Sequence, residues 1–221
     1  MLSKNQVKFI RGLKKKKIRQ TKQLFLAEGI KVVEEILQSS IKLHELYATP
    51  DYKNRFQVKN YQLIEEKELA QISEFNSPNQ VLGIFEMPKV SKPIRNGLTL
   101  LLDEINDPGN LGTIVRLCDW FGIHQLVCSS NTVDCFNQKV VQASMGSLAR
   151  VEILYVDPIS YLSNEKRPVF GAFLEGENVY QNRLPQDAVL ILGNEANGIS
   201  KEIESLVTDK ITIPQFGKLA Q

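Results

Sequence analysis

The chain has 221 residues, which is long for one compact domain and sufficient for two small ones. Hydrophobic residues make up 43% and charged residues 24%, as in ordinary globular proteins. No run of about 18 apolar residues is present, so no transmembrane helix is expected. The residues after Met1 lead into charge, so no secretory signal is expected either.

The cysteines and histidines favour a cytoplasmic protein without a metal. Cys118, Cys128 and Cys135 form no CxxC pair, and an odd number argues against a disulfide framework. The histidines are His44 and His124, too few to suggest a zinc site. We therefore expect reduced thiols in the cytoplasm.

The net charge of +2 hides an asymmetry along the chain. Residues 1–92 hold 17 Lys and Arg against 10 Asp and Glu, whereas the remainder holds 10 against 15. The first 22 residues contain nine basic residues and no acidic one. Such a segment attracts a polyanion through counterion release, independent of base sequence. A solvated basic helix face with no partner is the alternative, which the confinement of the charge to one end makes less attractive.

The front of the chain predicts a small α/β sandwich. Residues 3–21 form a basic segment predicted to be helical, and residues 25–29 lead into a second helix with apolar positions at helical spacing. The remaining predicted elements of this part are strands at 44–48, 61–64 and 81–85 and a helix at 65–72.

Residues 87–97 carry two prolines and a terminal glycine and predict a linker. The pattern of apolar residues changes after this segment. We place the front domain at 1–90, the linker at 91–97 and the back domain at 98–221. Buried strands alternate there with helices, which indicates a mostly parallel α/β sheet. The predicted strands are 98–103, 125–129, 151–155, 168–174, 188–192 and 210–213, and the predicted helices are 111–121, 137–145, 157–163 and 200–207.

The loop after the first back-domain strand spans residues 103–112. Pro108 and Gly109 make a tight turn, and Asn110 can cap the following helix. Arg116 is predicted to lie on the polar side of that helix, where its planar fork can meet a phosphate or carboxylate. A surface ion pair is the alternative for this arginine. The apolar stripe of the helix is predicted from Ile114, Leu117, Cys118 and Phe121.

Two later loops also follow predicted strands, where ligands of parallel sheets bind. In residues 190–199, Gly193 stands where a ligand can approach the backbone, and Glu195 sets a carboxylate at the sheet edge before Ser200 begins a helix. Residues 211–217 form a last strand that breaks into a Pro/Gly loop. The glycine spacing matches neither a dinucleotide-binding turn nor a P-loop, so hydride transfer and nucleotide hydrolysis have little support.

Together, in this order and spacing, the three loops resemble the SpoU (TrmH-like) branch of the SPOUT RNA methyltransferases. The first family motif reads here as residues 106–116 with one extra residue, the second as 192–198, and the third begins as Ile213-Pro214. Ser144-Met145-Gly146-Ser147 resembles the helix-end element between them, and the front domain, with Phe25, Glu28 and Gly29, resembles a ribosomal-protein-like substrate-binding domain.

The resemblance implies a trefoil-knotted α/β domain that binds S-adenosylmethionine, works as a homodimer and methylates a ribose 2′-hydroxyl of rRNA or tRNA without a metal. It places Asn110, Arg116 and Glu195 at the catalytic site. The cofactor-binding residues that it implies are Leu174, Glu175, Gly176, Leu192, Gly193 and Ile213. The predicted RNA contacts are Lys14, Lys15, Lys16, Lys17 and Arg19.

The role of Arg116 is open between two arrangements. The family proposal is a general base, but a guanidinium with a pKa above about 12 is essentially always protonated. Positioning a phosphate and stabilising the developing alkoxide is the role that the physics favours.

The sequence departs from the family at its end, because the Ser-Leu-Asn motif that follows the Ile-Pro loop does not occur before Gln221. Either the sequence stops short of this motif or the cofactor site is incomplete, and the alternative function is a non-catalytic RNA-binding protein. A nicotinamide-binding oxidoreductase is disfavoured by the glycine spacing.

Overall fold

The computed structural model describes residues 1–52, 58, 60–181 and 183–217. The chain forms two compact units, each built from separate stretches of sequence. The first unit comprises residues 1–89, 108–117 and 134–150, and the second comprises 90–107, 118–133 and 151–221. The domain boundaries at 90 and 98 remain a prediction from the sequence.

A four-stranded sheet forms the centre of the first unit. Its strands are β1 (Leu24–Glu28), β2 (Leu43–Ala48), β3 (Gln62–Leu63) and β4 (Val81–Glu86), in the order β1-β4-β2-β3. Strand β4 is antiparallel to β1 and β2, and β3 is parallel to β2. Strand β1 was not predicted as a strand. All five of its residues are buried, so it lacks the polar and apolar alternation that identifies a half-buried strand.

Helices complete the first unit. Its elements are α1 (Lys4–Gly12), α2 (Lys16–Lys22), α3 (Ile30–Leu37), α4 (Glu66–Ile72), the first ten residues of α5 (Pro108–Trp120) and α6 (Gln138–Ala143). The predicted helical segment 3–21 is thus two helices separated by a turn. Ile10 and Leu13 are buried in one cluster with Tyr47 and Leu69, which packs α1 and α4 on the sheet.

The second unit contains a six-stranded sheet in which every pairing is parallel, as predicted. The strand order is β10-β8-β9-β5-β6-β7. The strands are β5 (Leu98–Leu102), β6 (Gln125–Ser129), β7 (Glu152–Val156), β8 (Val169–Asn178), β9 (Ala188–Leu192) and β10 (Asp209–Thr212), with helices α7 (Pro158–Ser163) and α8 (Lys201–Glu204). Its core joins strand residues such as Leu101, Val127 and Ile191 to Tyr161 of α7 and Ile203 of α8.

The segment predicted as a linker is hydrogen-bonded to the second unit. The Ser91 hydroxyl donates to the Glu152 carboxylate at 2.6 Å, and the Ile94 amide donates to the Gln125 side chain at 2.7 Å. Prolines and the absence of periodicity marked this segment as irregular in sequence. Its attachment depends on β6 and β7, which follow it by about thirty to sixty residues.

The three cysteines are buried thiols, as expected. Among the described residues, no helix combines the length and the apolar character needed to cross a membrane.

Candidate active site at the carboxyl edge of the second sheet

The central strands of the second sheet end in three polar loops on one edge. They follow β5, β6 and β9, which are adjacent in the order β9-β5-β6 and parallel. We call these loops, residues 103–105, 129–132 and 193–198, the rim. Ligands of open parallel sheets bind beyond the carboxyl ends of the strands, so the rim is where a ligand is expected.

Glu104 connects all three loops of the rim. Its amide donates to the Ser129 hydroxyl at 2.9 Å, its carboxylate accepts from the Asn131 amide at 2.7 Å, and its carbonyl accepts from the Asn194 amide at 2.7 Å. Its φ of 55° lies in the left-handed region, which costs a residue with a Cβ roughly 1 kcal/mol or more. The contacts on both sides hold the backbone in this conformation. Sequence analysis did not assign Glu104 a role.

Asn194 shapes the loop after β9 from within. Its side-chain oxygen accepts from the amides of Ala196 at 2.9 Å and Asn197 at 3.1 Å, while its nitrogen donates to the Glu104 carbonyl. Its backbone forms a two-way bridge with Gly198, with both bonds at 2.9 Å. One side chain therefore folds the second motif and fastens it to the loop after β5. An Asn followed by a Gly four residues later was the sequence signal for this turn, and it was missed.

Asp103 and Thr132 are buried residues of the rim that complete its hydrogen-bond network. The buried Asp103 carboxylate accepts from the Ser200 amide at 2.8 Å, at the start of α8, which begins as predicted. The buried Thr132 hydroxyl lies 3.1 Å from that of Ser129. The rim is thus built from hydrogen-bonded loops rather than from mobile ends.

Gly193 is required for a different reason from the one expected. A Cβ at this position would stand 2.2 Å from the carbonyl carbon of Gly198 and 2.3 Å from the amide nitrogen of Ile199. The glycine therefore lets the loop fold back on its own strand, whether or not a ligand also approaches it. Glu195 lies at the exposed tip of the same loop, and Leu192 is half-buried at the end of β9.

Leu174, Glu175 and Gly176 lie in an irregular stretch of β8. Lys210 of β10 pairs with Gly171, but the next residue, Ile211, pairs with Glu177, so five residues of β8 fall outside the register. Such irregularities are frequent next to binding sites, because they redirect side chains.

The exposed side chains of this stretch and of the neighbouring Ile213 fit a ligand that has an aromatic ring and a separate positive charge. Leu174 is 77% exposed and Ile213 is 71% exposed, and the Thr212 hydroxyl donates to the Leu174 carbonyl at 3.0 Å, which brings the two segments together. Exposed aliphatic side chains suit the faces of an adenine ring, and the neighbouring carboxylate of Glu175 suits a positive charge. The chemistry of these residues is therefore compatible with S-adenosylmethionine.

Helix α5 carries Asn110 and Arg116, and both are exposed. The helix begins at Pro108, which suits the first helical position. Asn110 is consequently the third residue of the helix, and the prediction that it caps the helix was wrong.

Burial raises the pKa of Cys118, two residues after Arg116, to about 12, so this thiol stays protonated at neutral pH and is not a nucleophile.

The apolar stripe predicted for α5 was also wrong in two of its four positions. Cys118 is buried, but Leu117 is 48% exposed and Phe121 is 72% exposed. The buried stripe is instead Leu111, Val115 and Cys118, which recur at helical spacing. The helix has apolar residues on two faces, and spacing alone did not show which face is buried.

Two motif glycines of the first unit serve close packing. A Cβ on Gly112 would meet the Cβ of Ala143 at 2.4 Å, so α5 approaches α6 only because that residue is glycine. Gly146 has a φ of 94°, and its Cβ would stand 2.3 Å from that of Glu35 on α3. These positions of the family-like motifs are thus explained by packing.

The basic residues predicted to contact RNA separate into two groups. Lys15, Lys16 and Lys17 are exposed, whereas Lys14 is half-buried and donates to the Ser73 carbonyl at 3.0 Å, beyond the end of α4. We call residues 13–19, which comprise the turn after α1 and the first residues of α2, the lysine turn.

Arg19 is buried, with 3% of its surface exposed, and does not fit the predicted RNA contact. Its guanidinium donates to the carbonyls of Leu13 at 3.0 Å and Lys14 at 2.7 Å and forms an ion pair with Asp134. A buried guanidinium satisfied in this way fixes the lysine turn from inside, and its partner lies 115 residues away in sequence.

In the described part of the chain, His, Cys, Asp and Glu side chains form no group of three or more that could hold a metal ion.

A parallel sheet with a polar rim is the arrangement in which α/β proteins generally bind their ligands at the carboxyl edge. Comparison with known proteins gives the family. The SpoU rRNA methylase family matches residues 97–220, and the MRM3-like substrate-binding domain matches residues 4–83. The chain belongs to the SpoU rRNA methylase family.

Similar proteins cover nearly the whole chain. The 23S rRNA (guanosine(2553)-2′-O)-methyltransferase RlmP of Bacillus subtilis is 29% identical over 98% of this chain and 90% of its own length. A structure from Porphyromonas gingivalis, described as an RNA methyltransferase of the TrmH family, is 37% identical, with a TM-score of 0.86 over 100% of this chain and 92% of that one. An AdoMet-bound rRNA methyltransferase from Sinorhizobium meliloti is 29% identical, with a TM-score of 0.85 over 100% and 90%.

Proposed function

We propose that this protein is an S-adenosylmethionine-dependent methyltransferase that methylates a ribose 2′-hydroxyl of 23S rRNA. The observation that carries the proposal is the rim, in which a hydrogen bond from Asn194 to the Glu104 carbonyl fastens the second family motif to the loop after β5. The named relatives act on ribose 2′-hydroxyls of rRNA, and the chain belongs to their family.

The cofactor is assigned to the rim and to the irregular stretch of β8. Leu192 and Gly193 would provide backbone contacts, while Leu174, Ile213 and the segment 175–176 would border the adenine and the methionine part. The sulfonium supplies the electrophilic methyl group, and the protein aligns it with the ribose oxygen. No residue of the chain needs to form a covalent bond with the substrate.

Arg116, Asn110 and Glu195 are assigned to the transfer itself. Arg116 holds a phosphate of the RNA near the reacting ribose and stabilises the negative charge that develops on O2′ as its proton passes to solvent water. Glu195 orients a cationic group at the site, and Asn110 hydrogen-bonds the RNA. This positioning role for Arg116 requires no deprotonated guanidinium.

The protein is further proposed to be a cytoplasmic homodimer with a trefoil-knotted second domain. Support for the dimer comes from the end of α5, where Leu117 and Trp120 are exposed, Trp120 by 84%, and from Phe121, which follows the helix and is also exposed. An exposed apolar patch of this kind is typical of a protein interface. The proposed front and back domains, at 1–90 and 98–221, agree with the ranges that the two families match.

Calorimetry with S-adenosylmethionine and transfer of a labelled methyl group to 23S rRNA test the proposal together. We expect the wild-type protein to bind the cofactor and to label the rRNA. In Arg116→Ala, methyl transfer should fall by about 100-fold or more, as when one stabilising donor is removed, while cofactor affinity stays within a few-fold.

The matched control is Arg183→Ala, which removes an exposed arginine from the second unit and should leave both measurements unchanged. Equal loss of cofactor affinity and methyl transfer in Arg116→Ala would refute its catalytic assignment. A wild-type protein that binds rRNA but releases no heat with the cofactor would instead be the non-catalytic RNA-binding protein.

A further inference from the structure

We propose that the exposed basic face of α1 and the lysine turn form one continuous stripe that binds the phosphate backbone of RNA without reading its sequence. The inference rests on the proposed function, because it names the surface through which the substrate is held. It extends the predicted contacts from the lysine run to the whole of the first helix.

The stripe follows from the helical spacing of the basic residues. Lys4, Lys8 and Arg11 recur at intervals of four and three, which places them along one side of α1. Lys15 follows in the turn, as the extended residue before α2, and all four side chains are exposed. At 1.5 Å of rise per residue, Lys4 and Arg11 are about 10 Å apart along the axis. That length suits two or three successive phosphates of one strand.

The opposite side of α1 is fixed to the body of the first unit. Ile10 and Leu13 are completely or almost completely buried, and Val7 and Phe9 pack against the same core. A capping box formed by Ser3 and Gln6 closes the first turn of the helix. The stripe is therefore displayed by a rigid element.

Polar anchors hold the end of the stripe as well. The Arg11 side chain donates from Nε to the Gln71 carbonyl at 2.7 Å, and Lys14 donates to the Ser73 carbonyl at 3.0 Å. Arg19 fixes the lysine turn through its ion pair with Asp134. These contacts fix the path of the chain from α1 to α2, so that Lys15, Lys16 and Lys17 continue the charged face.

The composition of the segment favours the phosphate backbone over the bases. No acidic residue precedes Glu28 in the sequence, so the stripe has no neighbouring carboxylate on its own helices. Phe9 is the single aromatic residue before Phe25, and its packing against the core makes it unsuitable as a stacking platform for a base. Cations without an aromatic surface bind nucleic acid through counterion release, which does not depend on sequence.

The test measures how RNA affinity depends on salt in the full-length protein. The variant is Lys4→Gln with Lys8→Gln and Lys15→Gln, and the probes are two RNA stems of equal length and unrelated sequence. We expect the slope of log affinity against log salt to become shallower by about 2 to 3, since each lost phosphate contact removes roughly 0.7 to 0.9. Affinity near 0.1 M salt should fall by about 100-fold on both stems.

The matched control removes the same charge from the same unit. Lys31→Gln with Lys42→Gln and Lys89→Gln neutralises three exposed lysines outside the stripe, and its slope should remain close to that of the wild type. Equal effects of the two triple variants would overturn the stripe in favour of net charge. A loss confined to one stem would overturn the claim that binding is independent of sequence.

The failure of this inference is distinguishable from failure of the proposed function. The stripe variant should bind S-adenosylmethionine like the wild type and should recover methyl transfer at saturating rRNA. If the wild type fails to bind the cofactor, the enzyme assignment falls while the salt slopes still decide whether the stripe binds RNA.

Discussion

The lysine turn and the rim both contain a change of chain direction, and each is held in shape largely by one side chain. Arg19 donates to two carbonyls of the lysine turn and pairs with Asp134. Asn194 accepts from two amides of its own loop and donates to the Glu104 carbonyl. The first anchor is charged and nearly buried, and the second is neutral.

The difference has a physical consequence for each region. A buried guanidinium needs a counter-charge, so the lysine turn depends on a residue that is distant in sequence. A neutral amide needs no counter-charge, although its nitrogen also bonds to a distant residue, Glu104, and it adds no net charge to the rim, where we propose that a sulfonium binds. Losing the charged partner of Arg19 should therefore lower the free energy of unfolding more than losing the Asn194 amide.

Breaking the charged anchor should have the largest effect. Asp134→Asn leaves the Arg19 guanidinium buried without its carboxylate, which should lower the free energy of unfolding by about 3 kcal/mol in urea titration. The substitution also makes the protein more positive, so charge alone predicts tighter RNA binding. If Arg19 positions the lysine turn, binding should weaken instead.

A more exposed ion pair in the same unit provides the reference for this loss of stability. Glu35→Gln removes the partner of Arg150, whose ion pair is largely exposed, and should cost less than about 1 kcal/mol. If Asp134→Asn lowers the free energy of unfolding no more than Glu35→Gln does, Arg19 is not the anchor of the lysine turn. Tighter RNA binding by a folded Asp134→Asn would show that position matters less than charge.

Breaking the neutral anchor should have an intermediate effect. Asn194→Ala removes three side-chain hydrogen bonds and should lower the free energy of unfolding by about 1 to 3 kcal/mol. Because the loop would lose its attachment to Glu104, S-adenosylmethionine affinity measured by calorimetry should fall more than tenfold. Asn197→Ala, at an exposed position of the same loop, should change neither quantity substantially. Parallel behaviour of the two variants would exclude Asn194 as the residue that shapes the rim.

The smallest effect on stability is expected at Glu104, where two substitutions test the backbone conformation of the rim. Glu104→Gly and Glu104→Ala both remove the carboxylate that accepts from Asn131, but only glycine adopts a φ of 55° without strain. The glycine variant should therefore be more stable than the alanine variant by about 1 kcal/mol in thermal unfolding. Equal stability would mean that this backbone conformation is not maintained in solution.

Local patterns predicted most of the second unit. The strands at 125–129 and 188–192 have the predicted bounds, and the other four differ by a few residues at one or both ends. Apolar runs bounded by turn residues identify buried parallel strands, because both faces of such a strand are covered. The same patterns placed the loops of the rim at the ends of the strands.

The first unit and α5 were harder to predict because burial there is not periodic. Strand β1 is buried along its whole length and was taken as the approach to a helix. Helix α5 has more apolar residues than its buried face requires, so Leu117 and Phe121 were assigned to the wrong face. The catalytic and cofactor residues were assigned by resemblance, and they remain predictions until the variants are measured.

The sequence by itself determined the order of the elements, the parallel sheet and the three loops that carry the family motifs, because these depend on neighbouring residues. Tertiary structure alone decided that Arg19 lies inside, that Gly193 clears its own loop and that Glu104 joins the loops of the rim. Each of these depends on contacts between segments that approach only in the folded chain, and local periodicity carries no information about such contacts.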